Sequence, residues 1–491
     1  MIAAVVVAML AAPLAGAVLA QAPPLRRVAG PLALLAVCVT LAAALVLAAK
    51  VQADGPQSAF DSWVYVDSLS VVILVLIAIV GVCATLNSIP YINRDIADGH
   101  LGAADGPRYY SLLMVFMATM AVVPVINNLG IMWVAIEATT VVSVLLVSIY
   151  HTGQSLEAAW KYLVLGSVGI ALALFGTMMT YYASAPLLGD TSQGLSWTGL
   201  RAISSQLDPD VMRLAFVFVL VGYGTKVGLA PMHTWLPDAH SQAPSPVSAL
   251  LSGVLLNCAL YAVLRFRVLT AGSAGDAYAD DLLIAFGLFS VGLAVPFLVV
   301  QHDIKRMLAY HSVEHMGIIA LAVGIGGPVG LYAAMLHLVA HSLTKSSLFM
   351  AAGSVVQAFN TRSMHRMRGV LALAPFSGAS LILGAVALAG LPPFAMFTSE
   401  YGLLSGSFTA GHALIGVSGL LLIALAAASL LYHTVQVSYG QPRPGKSVPR
   451  PSAAAVLSVS LPLLLLLFIS IAPPAEFESA LRDAATVIEG S

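Results

Sequence analysis

Charge is what this sequence has least of. Asp, Glu, Lys and Arg make up 9% of its 491 residues, against about 25% in an ordinary soluble domain. So few charges cannot cover a soluble surface of this size, and most of the outer area must face lipid. A hydrophobic content of 59% and a mean hydropathy of +0.94 agree. Cysteine is scarce as well. Cys38, Cys83 and Cys258 lie in separate apolar runs without a CxxC pair, so neither an iron–sulfur cluster nor a structural zinc site is legible. No GxGxxG follows a strand and no P-loop occurs. The expectation is therefore that this chain holds no cofactor of its own. A net charge of −1, with no basic arm or patch, gives no reason to expect nucleic acid as a partner.

What is present is a series of apolar runs. A membrane-crossing helix needs about 20 mostly apolar residues. Fourteen segments qualify: 2–20, 28–50, 66–89, 109–126, 129–150, 158–183, 211–230, 245–264, 280–300, 306–325, 329–357, 370–405, 410–438 and 452–472. The expected fold class is an all-α polytopic membrane protein, one integral domain over 1–491. The longest polar stretch, 184–210, is too short for a separate soluble domain. Residues 2–20 lack the charged start of a signal peptide, because the next positive charges are Arg26 and Arg27; they read as a retained span.

Lys and Arg set the orientation. Thirteen, among them Arg26, Arg27, Arg94, Arg306, Arg362, Arg443 and Lys446, fall in loops opposite the termini or at their edge. Six fall on the terminal side: Lys50, Arg201, Arg213, Arg265, Arg267 and Arg482. Both termini are expected outside a bacterial-type cytoplasmic (inner) membrane.

Two spans are punctuated alike. One reads Gly222-Tyr-Gly224-Thr-Lys226-Val-Gly-Leu-Ala-Pro231. The other reads Gly390-Leu-Pro392-Pro393-Phe394, with Glu400 just beyond. Gly and Pro together interrupt a helix and free backbone groups. Each is the fourth of five spans, in 109–264 and in 280–438. An odd number reverses the second set, which is the pattern of an inverted repeat with two broken helices. The N-terminal helices in 1–89 and the last helix, 452–472, flank the two repeats.

Ionisable groups inside spans cost a few kcal/mol each, so each needs a reason. Those here are Glu137, Lys226, Glu314, His315, His337, His341, Lys345 and Glu400. Glu137 and Glu314 each lie eight residues into their spans, about 12 Å deep. Groups on many helices at one depth suggest a lateral path along the membrane. Burial and opposite charges move carboxylate and amine pKa values in opposite senses, and histidine titrates near neutrality. The set therefore suits proton relay.

Plainer readings stand beside that one. Glu137 also suits a bond to a neighbouring hydroxyl, Glu314 and His315 an anchor near a helix start, Glu400 a bond to freed backbone, and Lys161 an interface anchor. His337, His341 and Lys345 follow at i, i+4 and i+8 on one helix face. HxxxH spacing can chelate a metal, but no third ligand lies nearby in sequence, so no metal is assigned. The polar loop Met232-His-Thr-Trp-Leu-Pro-Asp238-Ala-His240 reads equally as a structured turn or as a mouth for protons.

These segments resemble the proton-translocating antiporter-like membrane subunits: those of respiratory complex I, of multisubunit sodium/proton antiporters and of energy-converting hydrogenases. The resemblance rests on Gly222 to Asn257, on Gln301 to Gly317, on His337 to Phe349 and on Gly390 to Glu400. It covers roughly residues 60–440. It implies fourteen core helices with two inverted five-helix repeats, Glu137 paired with Lys226, Glu400 on the exit side, and His337, His341 and Lys345 linking two half-channels. Many complex I relatives carry a lysine where this chain has Asn257, which can hold water but cannot take up a proton. Asn257 and the stretch Ser312-Val-Glu314-His315-Met-Gly317 look more like the hydrogenase-4 component F or formate-hydrogenlyase type, with Glu314 an extra carboxylate. About nineteen residues follow the last run, which implies that the long lateral helix of the largest complex I antiporter subunit is missing.

The resemblance implies a proton-translocating subunit of a redox-driven complex. Its implied partners are other antiporter-like subunits and a peripheral metalloprotein arm with iron–sulfur groups, and its implied ions are protons or sodium. The alternative is a subunit of a sodium/proton antiporter with no redox partner. A third reading is a scaffold with an idle channel, against which the buried Glu and Lys set weighs.

Overall fold

The computed structural model describes residues 1–188, 194–441, 448 and 450–490. Twenty α-helices follow in order. The first eight are α1 (Ile2–Gln21), α2 (Ala29–Asp54), α3 (Ser68–Ala97), α4 (Asp105–Val122), α5 (Leu129–Val147), α6 (Gly153–Leu188), α7 (Trp197–Ala202) and α8 (Pro209–Val227). Then come α9 (Trp235–Gln242), α10 (Ser245–Leu250), α11 (Leu256–Ala274), α12 (Asp276–Val299), α13 (Ile304–Ile325) and α14 (Gly327–Phe359). The last six are α15 (Val370–Leu373), α16 (Pro375–Leu388), α17 (Ala395–Thr409), α18 (Ala413–Ser438), α19 (Ala453–Ile471) and α20 (Ala475–Glu489). A small antiparallel hairpin, β1 (Gln57–Ala59) and β2 (Val64–Val66), pairs Gln57 with Val66.

Among the described residues, ten helices are long and apolar enough to cross a membrane. They are α1, α2, α3, α5, α6, the α10–α11 unit, α12, α13, α18 and α19. The sequence reading has fourteen runs; the four outside these ten fall on α4, α8, α14 and 370–405, and the last two have a visible physical cause. In α14, His337, His341, Lys345 and five serines and threonines dilute the apolar run. The expected span 370–405 is divided into α15, α16 and α17. The run 245–264 is longer than expected and reaches Ala274, with a π-helical turn at Leu251–Leu255.

The apolar window of the α10–α11 unit is 100% buried and that of α13 is 94% buried, whereas those of α1 and α19 are 28% buried. Polar residues on the inner helices therefore face protein, and the outer helices carry the lipid-facing surface. An irregular polar backbone inside such a bundle is tolerated only where other protein groups meet it.

Arg265 and Arg267 are not exposed loop cations. The sequence reading places both in terminal-side loops, yet they are 2% and 3% exposed. Arg265 grips Asp67 with two parallel bonds of 2.7 and 2.8 Å, is also bonded to Ser70 and Tyr261, and lies 4.1 Å from the centre of the Trp197 ring. Arg267 bonds Asp280 at 2.7 Å. Lys305, counted on the opposite side, is also buried and donates to the Ala243 carbonyl. Hydropathy cannot see a partner supplied by another helix. Arg443 and Lys446 lie outside the described residues.

Removing one partner of a buried ion pair leaves an uncompensated charge and costs about 3–5 kcal/mol. Arg265→Met is expected to lower the thermal unfolding midpoint of the detergent-solubilised chain sharply. The double variant Arg265→Met/Asp67→Leu is expected to recover most of the loss. Equal loss in both would show that the ion pair is not what Arg265 contributes.

Candidate functional site

Two helix breaks organise the buried polar groups. The first follows α8. The residues expected there are Gly222, Gly224 and Pro231; Pro231 lies between α8 and α9, but the two glycines lie within the helix. Gly222 serves close packing instead: a Cβ there would come 2.4 Å from the Ala173 nitrogen and 2.6 Å from the Gly169 carbonyl of α6. The helix ends one turn later, at Gly228, whose φ of +86° suits glycine. The chain then passes Pro231 and resumes as α9, so the polar loop 232–240 is partly helical.

The freed backbone groups find partners. Trp235 Nε1 donates to the Thr225 carbonyl at 2.8 Å, and the Ala230 amide donates to Ser290 on α12 at 2.9 Å. The second break lies between α16 and α17, where Gly390, Pro392 and Pro393 stand. There the Ala395 amide donates to Ser470 of α19 at 2.7 Å. Each break thus has an amide met by a serine from a distant helix.

Lys226 lies in the last turn of α8, 1% exposed, where the helix dipole favours a cation. Its Nζ donates to Thr140 Oγ1 and to the Tyr162 hydroxyl, both at 2.7 Å. Thr140 in turn donates to Glu137 Oε2 at 3.1 Å. The resemblance implied a Glu137–Lys226 pair. Among the described residues no direct ion pair joins them, and Thr140 stands between. Glu137 itself is half-buried. Tyr162 is fixed by Ser143 at 2.8 Å and by stacking on Trp235, with ring centres 4.2 Å apart.

Asn257 lies on α11, 1% exposed. Its amide nitrogen donates to Ser342 on α14 at 2.8 Å and to the Gly253 carbonyl at 2.9 Å. Beyond it, α13 and α14 carry a second cluster. His311 Nδ1 and Glu314 Oε2 are 2.6 Å apart. His315 Nδ1 and His337 Nε2 are 2.9 Å apart, and His337 Nδ1 is 2.9 Å from Ser399 Oγ on α17. Lys345 donates to the Leu308 carbonyl. His341 is fully buried, its ring 5.4 Å from that of His315. Glu400 folds back across the second break, so that a Cβ on Gly390 would meet its Oε2 at 2.0 Å; the φ of Gly390 is +63°.

Several buried polar atoms have no hydrogen-bond partner among the described residues: both ring nitrogens of His240 and His341, one nitrogen each on His311 and His315, Asn257 Oδ1 and Glu400 Oε1. Buried groups left in this way are ordinarily met by water. A polar mouth of about 450 Å³ opens nearby, lined by Lys161, Asp238, His302, Asp303, Arg306 and Arg362 among others. Asp238 on α9 accepts from Lys161 of α6 at 3.1 Å and from Arg306 of α13. Lys161 is 48% exposed there, which fits its reading as an anchor.

Sequence reasoning missed Thr140, Tyr162, His311 and Ser399. Thr140 and His311 stand three residues from Glu137 and Glu314, a spacing that shares a helix face, so both were discoverable. Tyr162 and Ser399 come from other helices and left no local signal.

Residues 126–426 match the family model described as NADH:quinone oxidoreductase/Mrp antiporter, transmembrane. The chain is 44% identical over 396 residues to the hydrogenase-4 component F homolog of Methylacidiphilum infernorum, covering 81% of this chain and 82% of that one. Its fold is similar to a chain of the archaeal membrane-bound sulfane sulfur reductase, with TM-score 0.85, 22% identity and 99% of each chain covered. It is similar to a chain of the Mrp complex from Dietzia sp. DQ12-45-1b in the same way, with TM-score 0.85, 19% identity and 99% of each chain covered. With more than half of its length matched by the family model and a relative above 40% identity, this chain belongs to the antiporter-like membrane subunits of the NADH:quinone oxidoreductase/Mrp family.

Proposed function

We propose that this chain moves protons across the membrane as the antiporter-like subunit of a redox-driven complex of the hydrogenase-4 kind. Other antiporter-like subunits and a peripheral metalloprotein arm are its partners. The resemblance to the hydrogenase-4 component F homolog over four-fifths of both chains supports the choice of complex. In this reading fourteen segments cross the membrane: the ten long apolar helices together with α4, α8, α14 and the α16–α17 pair. Residues 109–264 and 280–438 form the inverted repeats, and both termini lie outside an inner membrane.

The observation that carries the reading is the hydroxyl bridge at Lys226. A hydroxyl that accepts from an amine and donates to a carboxylate passes a proton by reversing its two hydrogen bonds. Glu137 and Lys226 thereby exchange a proton through Thr140 without touching. Onward transfer runs past Asn257, which holds its place with Ser342 and takes up no proton itself, to His341, Lys345 and Glu314. It leaves through His315, His337 and Glu400. Moving one charge against 100 mV requires about 2.3 kcal/mol. In this reading the redox partner supplies that work.

Lys226→Met and Glu137→Gln are each expected to abolish proton uptake by vesicles holding the tagged complex, while redox turnover and subunit assembly persist. Full proton uptake in either would sink the proposal.

Thr140→Val removes the bridge and keeps the shape. A hydrogen bond to a charged group is worth about 1.5–3 kcal/mol, so proton uptake is expected to fall at least about tenfold. Thr140→Ser is expected to restore it. Equal rates in the Val and Ser variants would show that the hydroxyl is not on the path.

A further inference from the structure

The HxxxH pair on α14 lacks a third metal ligand nearby in sequence. The fold gives His337 two other partners, one from the preceding helix and one from α17. His315 of α13, His337 of α14 and Glu400 of α17 offer ligand atoms that all lie within 4.8 Å of one another. His341 is not one of the three.

The hydrogen bonds suit one tautomer of His337. Ser399 donates to the Met396 carbonyl, 2.7 Å away, and lies 2.9 Å from His337 Nδ1. With its proton on Nδ1 and bonded to Ser399, a neutral His337 presents a lone pair on Nε2. That nitrogen is 2.9 Å from His315 Nδ1, which then carries the proton between them. An imidazole whose second nitrogen donates to a fixed oxygen is the arrangement that orients metal-ligating histidines. The other two residues can adapt as well: the open Nε2 of His315 can take up that ring's proton, which frees Nδ1 for the metal. His315 Nε2 and Glu400 Oε1 have no partner among the described residues.

We propose that His315, His337 and Glu400 form a binding site for a divalent transition-metal cation of the Zn²⁺ type, distinct from any resident cofactor. Two imidazole nitrogens and one carboxylate oxygen suit Zn²⁺, whereas Mg²⁺ and Ca²⁺ prefer oxygen alone. Two ligands on a tetrahedral Zn²⁺, with bonds of about 2.0–2.1 Å, stand about 3.3 Å apart. The two histidines thus need to separate by only a few tenths of an ångström. The proton of His315 moves from Nδ1 to Nε2, so both imidazoles bind as neutral ligands without losing a proton, while Glu400 binds as the carboxylate and gives up any proton it carries. Charge is balanced by Glu400 and by Glu314, whose carboxylate belongs with His311 and His315 to a second trio of the same compactness. Lys345, on the same face as His337, opposes the cation when charged. A bound metal would tie α13, α14 and α17 together and remove His315 and His337 from proton exchange. That last consequence rests on the proposed function; the binding itself does not.

The test uses the full chain, stripped with a chelator, with Zn²⁺ as the probe and Mg²⁺ as the control. The exposed His302–His365 pair, with ring nitrogens 3.1 Å apart, is a competing surface ligand pair, so His365→Ala is the background. The expected result is one saturable Zn²⁺ site per chain, insensitive to excess Mg²⁺. His337→Gln and Glu400→Gln are each expected to weaken it at least about tenfold, and His341→Gln to leave its Kd unchanged. X-ray absorption of the Zn²⁺-loaded background protein needs no variant at the site. It is expected to show two nitrogens and at least one oxygen at about 2.0–2.1 Å. Loss of all binding in His365→Ala, an all-oxygen shell, or equal weakening by His341→Gln would overturn the site. Proton uptake is read in vesicles from the same preparations. Zn²⁺ binding without any proton uptake would keep the site and overturn the relay.

Discussion

A lysine amine buried in the middle of a lipid-facing bundle must be held by something, and here it is held by two hydroxyls. This requirement shapes the first half of the molecule. Thr140 has to stand on α5 one turn from Glu137, and Tyr162 has to reach in from α6. For α6 and α8 to approach closely enough, Gly222 can carry no side chain against the Ala173 nitrogen. The ending of α8 at Gly228 then places Lys226 in the last turn, where the carbonyl ends of the helix favour its charge. Packing, helix termination and the polar site are one solution to a single desolvation problem.

The second half solves the same problem with different chemistry. Its break leaves Glu400 folded over Gly390 instead of an amine at a helix end. Its buried polar groups are mostly imidazoles, which lose less than a fixed charge does when taken out of water. A hydrogen-bonded line runs from His315 through His337 to Ser399 and the Met396 carbonyl. When the serine donates to that carbonyl, the line runs in one direction, because one hydroxyl can donate only once. Asn257 lies between the two halves and fixes Ser342, one residue from His341, without carrying charge itself.

Much of this was legible before any coordinates. Low charge and long apolar runs gave the membrane class, and the rarity of intramembrane ionisable groups singled out Glu137, Lys226, Glu314 and the histidines of α14. Both breaks were marked by their prolines. The glycines of the first misled, because Gly222 packs and Gly228 terminates, and composition does not tell these roles apart. Arg265 and Lys305 were read as loop cations because hydropathy scores a residue alone, while Asp67 and the Ala243 carbonyl come from other segments. Tyr162 was illegible for a related reason. One aromatic among many on α6 becomes part of the site only once α8 lies against it.

Trp235 stands at a junction. Its indole nitrogen holds a carbonyl of the last turn of α8, while its face supports the tyrosine that holds Lys226. One turn on, in the same eight-residue helix, Asp238 is tethered to Lys161 and Arg306 at the polar mouth. The short helix α9 therefore carries contacts of both kinds, so the polar mouth and the support of the buried amine share one eight-residue segment.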